Sequence, residues 1–229
     1  MMNDNLIIVS MTSWTKRIGN CVAVINSLMD QTMMPDHIEL NLSISEFNNK
    51  EKDLPSDLMD LITSNDIISI NWIERNDGVF KKIIPTIQKY YGQTYYLLSV
   101  DDDWIYRNDY IELMVNYLEK YNTDTFCLAN AKVIGNRQIY RSSCFNENFW
   151  KCLTQEVIDT RIDDSYIERY LECHGKTFSS YRPDDTPDIT RKYNNIIFPN
   201  SHNTVTGQYD PVEVRNAQKI INRIKFNDQ

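Results

Sequence analysis

Three consecutive aspartates, Asp101, Asp102 and Asp103, close the apolar run "YYLLSVDDDWIY" (95–106). Such a triplet suits a hard divalent cation, which takes oxygen ligands in octahedral geometry and often bridges to phosphate. One helix cap or turn uses a single carboxylate, and neighbouring negative charges repel. An apolar run that ends in three of them therefore asks for positive charge. Other polar groups stand in similar places. "TSWTKR" (12–17) supplies hydroxyls and a guanidinium, "ERNDG" (74–78) supplies Asp77, and Lys81 and Lys82 follow it. Asp163 and Asp164 open "DDSYIERYLECHG" (163–175), where carboxylates also stabilise a helix N-terminus. Ser165 and Glu168 could form a capping box there, leaving the two aspartates just outside the helix.

Elements must position these groups, and the periodicity of apolar residues names them. "LIIVSM" (6–11), "IELNLS" (38–43), "IISINWIE" (67–74) and "YYLLSV" (95–100) read as strands. Between them, Ile18, Val22, Ile25 and Leu28 recur at helical spacing. Leu54, Leu58, Leu61 and Ile62 do the same behind Pro55, a residue suited to starting a helix. "VFKKIIPTIQKYY" (79–91) is a third helical pattern, in which Pro85 is tolerable only near the first turn. Ile111, Met114, Val115 and Leu118 mark a fourth helix, with "TFCLA" (125–129) a strand beyond it.

This alternation predicts an α/β sandwich with a mostly parallel sheet. In such sheets ligands bind beyond the carboxyl ends of the strands. The aspartate triplet, "TSWTKR" and "ERNDG" all fall at strand ends, so the three polar loops should converge on one edge. The C-terminal half is less regular. "RQIYRSS" (137–143) looks extended, and "NENFWKCL" (146–153) reads as a loop with two exposed aromatics. Ile167, Tyr170, Leu171 and His174 share one face of the helix that follows, with Gly175 at its C′ position. "DPVE" (210–213) announces a last helix, with Asp210 as N-cap.

The chain of 229 residues suits a single domain, 1–229, with one sizeable core. A formal net charge of −8 argues against nucleic-acid binding. No apolar run approaches the roughly 18 residues of a membrane span, and "MMNDNLIIVS" lacks the features of a secretory signal. The mildly basic "RNAQKIINRIKF" leaves room for peripheral membrane contact only. Five scattered cysteines without CxxC spacing read as reduced thiols of a cytoplasmic protein. The 14 tyrosines suit either amphipathic rim positions or sugar contacts.

The order of blocks resembles GT-A-fold glycosyltransferases. "IIVSMTSWTKRIGNCVAVINSLMDQTMMPDHIELNLS" is similar to their opening strand, T-[ST]-[YW]-x-x-R loop and helix with S-L-x-x-Q-T. "DGVFKKIIPTIQKY" and "YLLSVDDDWIY" resemble later blocks of a bacterial polysaccharide-type branch. The match covers about 6–120 and is weaker beyond, apart from "DDSYIERYL". It implies a GT-A-like (Rossmann-like) fold, with a nucleotide-sugar-binding half over about 1–120 and an acceptor-side half over about 121–229.

The resemblance further implies a nucleotide-sugar donor, foremost a UDP-sugar, and a glycan or lipid-linked glycan acceptor. Thr12, Ser13 and Arg17 match the loop that holds the nucleotide, and Asp77 falls near the base or ribose. Lys81 and Lys82 lie where positive charge could meet the diphosphate. Asp103 and Asp101 match the outer residues of a motif holding Mn2+ or Mg2+, with Asp101 or Asp102 on ribose or metal-bound water. His202 stands where some such enzymes supply a further metal ligand, whereas His37 and His174 read as structural. Glycosyl transfer builds negative charge on the departing diphosphate. An inverting enzyme also needs a carboxylate base, for which Asp164 and then Asp163 are the candidates. Trp104, Tyr106, Phe149 and Trp150 would offer faces for an acceptor sugar, although core packing is the commoner explanation for each singly. Two rivals stand beside this reading. One is a non-catalytic glycan- or nucleotide-binding protein of the same fold. The other is a sugar-phosphate nucleotidyltransferase, disfavoured because "MTSWTKR" has no glycine.

Overall fold

β1 (Leu6–Thr12) has its five inner residues buried, as a strand covered on both faces of a sheet must. It is the first strand of a computed structural model that describes residues 5–127, 138–180 and 211–226. Parallel strands β2 (His37–Ser43), β3 (Ile68–Ile73) and β4 (Tyr95–Ser99) join it. With β5 (Thr125–Cys127), β6 (Gln138–Arg141) and β7 (Phe178–Ser180) they form a seven-stranded sheet in the order β3-β2-β1-β4-β6-β5-β7. β6 runs antiparallel to both neighbours, so the sheet is mostly parallel. Register aligns the strand ends: Thr12 stands opposite Asn41, Ser10 opposite Ser99, and Ser43 opposite Ile73.

Side chains alternate across each strand, and the two sheet faces bury two cores. Val9, Met11 and Leu98 face α1 (Cys21–Met29), α2 (Ser56–Thr63) and α4 (Tyr110–Tyr121). Ile8, Leu97 and Tyr140 face α3 (Ile84–Lys89), α5 (Asn148–Lys151), α6 (Gln155–Ile158), α7 (Asp163–Cys173) and α8 (Pro211–Ile221). Tyr96, Tyr110, Tyr140, Tyr166 and Tyr170 are fully buried, so much of the tyrosine content serves packing. No helix among the described residues is long and apolar enough to cross a membrane.

Several expectations change in detail. The helical pattern of 79–91 divides into a 3-10 turn, Gly78–Lys82, and α3, with Ile83 between them at φ −128°. Pro85 sits in the first turn of α3, where its missing N–H breaks no intrahelical bond. Pro55 is the N-cap of α2 and so stands at the start of that helix as expected. The expected loop at 146–153 contains α5, and Phe149 is buried in the second core. α7 begins at Asp163, so both aspartates lie inside its first turn and no capping box forms.

Gly175 follows α7 at φ +59°, and Lys176 N–H donates to the Leu171 carbonyl at 2.9 Å, the bond that closes a Schellman motif. α8 starts at Pro211, while its expected N-cap, Asp210, lies outside the described residues. β5 ends at Cys127, and the remainder of "TFCLA" also lies outside them.

One buried charge in the sheet gives a stability test. Glu39 on β2 is fully buried and accepts from Lys89 Nζ (2.8 Å), Tyr90 Oη (2.6 Å), Asn71 Nδ2 (2.8 Å) and Ser69 Oγ (3.0 Å). Burial pushes its carboxyl up, but the bonds from Lys89 and Tyr90 prevail and hold it below the usual range. A depressed carboxylate stabilises the fold above its unfolded pKa of about 4.3 and loses that contribution as pH falls through the lower folded value. Glu39→Gln is therefore expected to cost about 1–3 kcal/mol in urea unfolding at neutral pH. The difference from wild type should shrink as the pH is lowered toward the folded value. A gap that stays constant with pH would refute the assignment.

Candidate active site

β4 delivers the three aspartates to a corner that is itself fixed. Val100 N–H still donates to the Ser10 carbonyl at 3.1 Å, and Asp101 N–H then donates to Tyr106 Oη at 2.9 Å. Tyr106 is buried, with its ring 4.7 Å from that of Tyr110. The loop after β1 meets this corner. Arg17 places Nη2 2.9 Å from Asp102 Oδ1 and Nη1 2.8 Å from Asp103 Oδ2, and Ser13 Oγ donates to Asp102 Oδ2 at 2.6 Å. Asp102 is 1% exposed, and burial pushes its carboxyl up to about 7 against the pull of Arg17 and Ser13.

Lys82 ties the corner to the C-terminal half. Its Nζ lies 3.2 Å from Asp101 Oδ1 and 3.2 Å from Asp163 Oδ2, at the start of α7. Burial opposes its charge, but Asp101, Asp163 and Asp164 outweigh that and hold its pKa well above the ordinary lysine value. The backbone of Lys82 is pinned as well. Its carbonyl accepts from Ser10 Oγ at 2.5 Å, Ser10 Oγ lies 2.6 Å from Thr86 Oγ1, and Asn41 Nδ2 is 3.1 Å from each hydroxyl. Ser10 and Asn41 interrupt the apolar residues of β1 and β2, Thr86 lies on α3, and the turn that they hold is the one that carries Lys82.

The neighbouring candidates have partners of their own. Lys81, 2% exposed, pairs with Glu46 in the loop after β2, and Asp77 pairs with Arg75. Thr12 Oγ1 donates to the Asn41 carbonyl at 2.7 Å, across to β2. Asp164 sits beside Asp163 in the first turn of α7. Burial, reinforced by Asp163, pushes its carboxyl well above the usual range. Burial and then Asp164 raise Tyr140 on β6 likewise, which keeps its phenol protonated. Ser13, Arg17, Lys82, Asp101, Asp102, Asp103, Asp163 and Asp164 thus gather at one edge of the sheet, while His202 lies outside the described residues.

The aromatic candidates do not gather there. Tyr106 and Phe149 are buried in opposite cores. Trp150 packs edge-on against Tyr91, 5.1 Å away, past the end of α3 that leads into β4 and so away from the aspartates. Trp104 is partly exposed beside them. The rings of His37 and His174 lie tilted against those of Tyr90 and Tyr170. Among the described residues no cysteine forms a disulfide.

Sequence reasoning missed Glu46, although it follows the carboxyl end of a strand, as the other candidates do. It also missed the roles of Tyr106 and Tyr140, which no local pattern marks.

Among the described residues no three His, Cys, Asp or Glu side chains are grouped to hold a metal ion by themselves. Individual oxygens nevertheless suit one. Among the described residues Asp101 Oδ2 is buried with no hydrogen-bond donor, and Asp163 Oδ2 lies in ion-pair range of Lys82 without an aligned hydrogen bond. A buried, unsatisfied carboxylate oxygen is costly unless a cation meets it.

No family model and no curated protein matches the sequence. Solved structures do, the following three at 10% identity each. S. aureus TarS 1–349 matches with a TM-score of 0.56 over 77% of this chain and 58% of its own. The mannosyltransferase PcManGT from Pyrobaculum calidifontis, in complex with GDP-Man and Mn2+, matches with a TM-score of 0.58 over 79% and 55%. The fold is of the GT-A type. The 4-diphosphocytidyl-2C-methyl-D-erythritol synthase from Anaerococcus prevotii matches at 0.50 over 96% of this chain and 97% of its own. This chain therefore spans a little over half the length of the first two and nearly all of the third.

Proposed function

We propose that the protein is a metal-dependent glycosyltransferase that moves a sugar from a nucleotide diphosphate to a glycan or lipid-linked glycan, with inversion. The observation that carries this reading is the Lys82 bridge, which brings the aspartate corner of β4 and the acidic start of α7 within one ammonium's reach. Donor-side and acceptor-side groups must lie that close for a sugar to pass between them.

In this reading Ser13 and Arg17 shape the nucleotide side, with Thr12 on the same loop, and Asp77 lies toward the base or ribose. Lys82, with Lys81 behind it, offers positive charge to the leaving diphosphate. Asp101, by its unsatisfied Oδ2, and Asp103 would hold the cation, with Asp102 braced by Ser13 and Arg17; the resemblance adds His202 as a candidate further ligand. When bound there, Mn2+ or Mg2+ supplies Lewis-acid neutralisation of the diphosphate. Asp163 is engaged by Lys82, which leaves Asp164 to accept the proton of the acceptor hydroxyl. The GDP-Man and Mn2+ of the mannosyltransferase complex support this class of ligands. The sequence resemblance favours a UDP-sugar as donor, cytoplasmic work on a surface polysaccharide, and one domain for the whole task.

A second reading has one observation in its favour, the near-complete mutual coverage with the erythritol synthase. A nucleotidyltransferase would release pyrophosphate from a nucleoside triphosphate, whereas a glycosyltransferase releases nucleoside diphosphate. Thermal unfolding with UDP- and GDP-sugars, with and without Mn2+, tests the main reading. A ligand present at a hundred times its Kd should add about 2.7 kcal/mol of stability. No shift with any donor, together with pyrophosphate release from CTP or UTP, would overturn it. Donor binding without hydrolysis or transfer would instead indicate a non-catalytic binding protein.

A further inference from the structure

We propose that Lys82 is a resident counter-ion that makes binding of the divalent cation conditional on a diphosphate. The inference rests on the metal-dependent reading above and adds a regulatory element to that site. Lys82 is 7% exposed, and its ammonium is shared between Asp101 and Asp163 at 3.2 Å each. The free carboxylate oxygen, Asp101 Oδ2, belongs to the same carboxyl group that Lys82 already neutralises. A divalent ion arriving alone on that oxygen meets a positive charge across one carboxylate. Repulsion at such a distance in a buried site is large, and two cations compete for one anion.

Retreat of the lysine is restricted. Ser10 Oγ donates to the Lys82 carbonyl and is itself held by Thr86 and Asn41, so the turn is fixed and side-chain torsions are what can move the ammonium. A buried ammonium that leaves two carboxylates needs another anion. A diphosphate supplies that anion, and it brings oxygens that the divalent ion can share. Cation and diphosphate should therefore enter together, each strengthening the other by the same factor. Lys81 makes a useful contrast, because it carries the same charge one residue away but is held by Glu46.

Mn2+ titrations of the full chain, with free Mn2+ read by electron paramagnetic resonance, test this without any turnover assay. Wild type is expected to bind Mn2+ weakly alone and about tenfold more tightly with UDP or GDP present. Lys82→Met should bind Mn2+ alone about tenfold more tightly than wild type, and the nucleotide should then add little. Lys81→Met should leave the affinity for Mn2+ alone near wild type. Lys82→Gln, with circular dichroism on each protein, replaces the methionine variant if that one fails to fold.

Equal or weaker Mn2+ binding by the Lys82 variants, in a protein whose Asp101→Asn variant loses Mn2+, overturns the counter-ion role while leaving the metal-dependent reading intact. Equal tightening by Lys81→Met also overturns it, since a general field effect would then account for the change. No Mn2+ binding by any form, with or without nucleotide, overturns the metal-dependent reading and this inference with it.

Discussion

Asp101→Asn is expected to reduce Mn2+-stimulated release of nucleoside diphosphate from the donor by about a hundredfold to a thousandfold. The substitution keeps the side-chain shape and removes the charge. It takes away the unsatisfied Oδ2 that suits a cation and one of the two carboxylates beside Lys82. An amide nitrogen turned toward the ammonium would add repulsion. Asp103→Ala should abolish metal-stimulated turnover by the other route, deleting a proposed ligand and leaving Arg17 with Asp102 alone. The two variants should lose metal stimulation while their thermal unfolding stays cooperative, because the corner is also held by Tyr106 and by Val100 on Ser10. Wild-type turnover in either protein would remove the aspartate corner from the chemistry.

Asp164→Asn should lower kcat by about a hundredfold to ten-thousandfold, the range of general base catalysis, with the KM for donor little changed. Its raised carboxyl sets the direction of the pH dependence. Burial and Asp163 disfavour the ionised form, so the base is available only as pH rises past a value above the ordinary carboxylate range. Transfer should therefore increase with pH through that midpoint, and the rise should disappear in Asp164→Asn. Asp163→Asn should behave differently. It frees one side of Lys82 and should disturb donor binding, read as KM, more than the pH profile. Product NMR completes the test, because retention of the donor's anomeric configuration would exclude Asp164 as the base of an inverting displacement.

Much of the fold could be read from local pattern. β1, β2, β3 and β4 fall where apolar, β-branched runs end in polar residues, and parallel strands must bring those ends to one edge. The lysines were placed by the family resemblance, whereas that rule alone put the aspartates near "TSWTKR". It failed where neighbours in space outweighed neighbours in sequence. Phe149 looked exposed in a polar stretch, but Phe145, Tyr166 and Tyr170 close around it. α7 does start at Asp163, the first residue of its helical pattern, but Asp163 pairs with Lys82 from inside the first turn instead of standing outside a capping box at Ser165.

By itself, then, the sequence determined the alternation of strands and helices and the edge at which the acidic groups collect, since both follow from periodicity over a few residues. Only the tertiary structure decided which cation answers which carboxylate. Ser13 and Asp102 are 89 residues apart, Arg17 and Asp103 are 86 apart, and their pairing depends on how two loops bend. Lys82 reaches Asp101 and Asp163 because Ile83 breaks the helix and Ser10 clamps the turn, and no spacing in the chain encodes that angle.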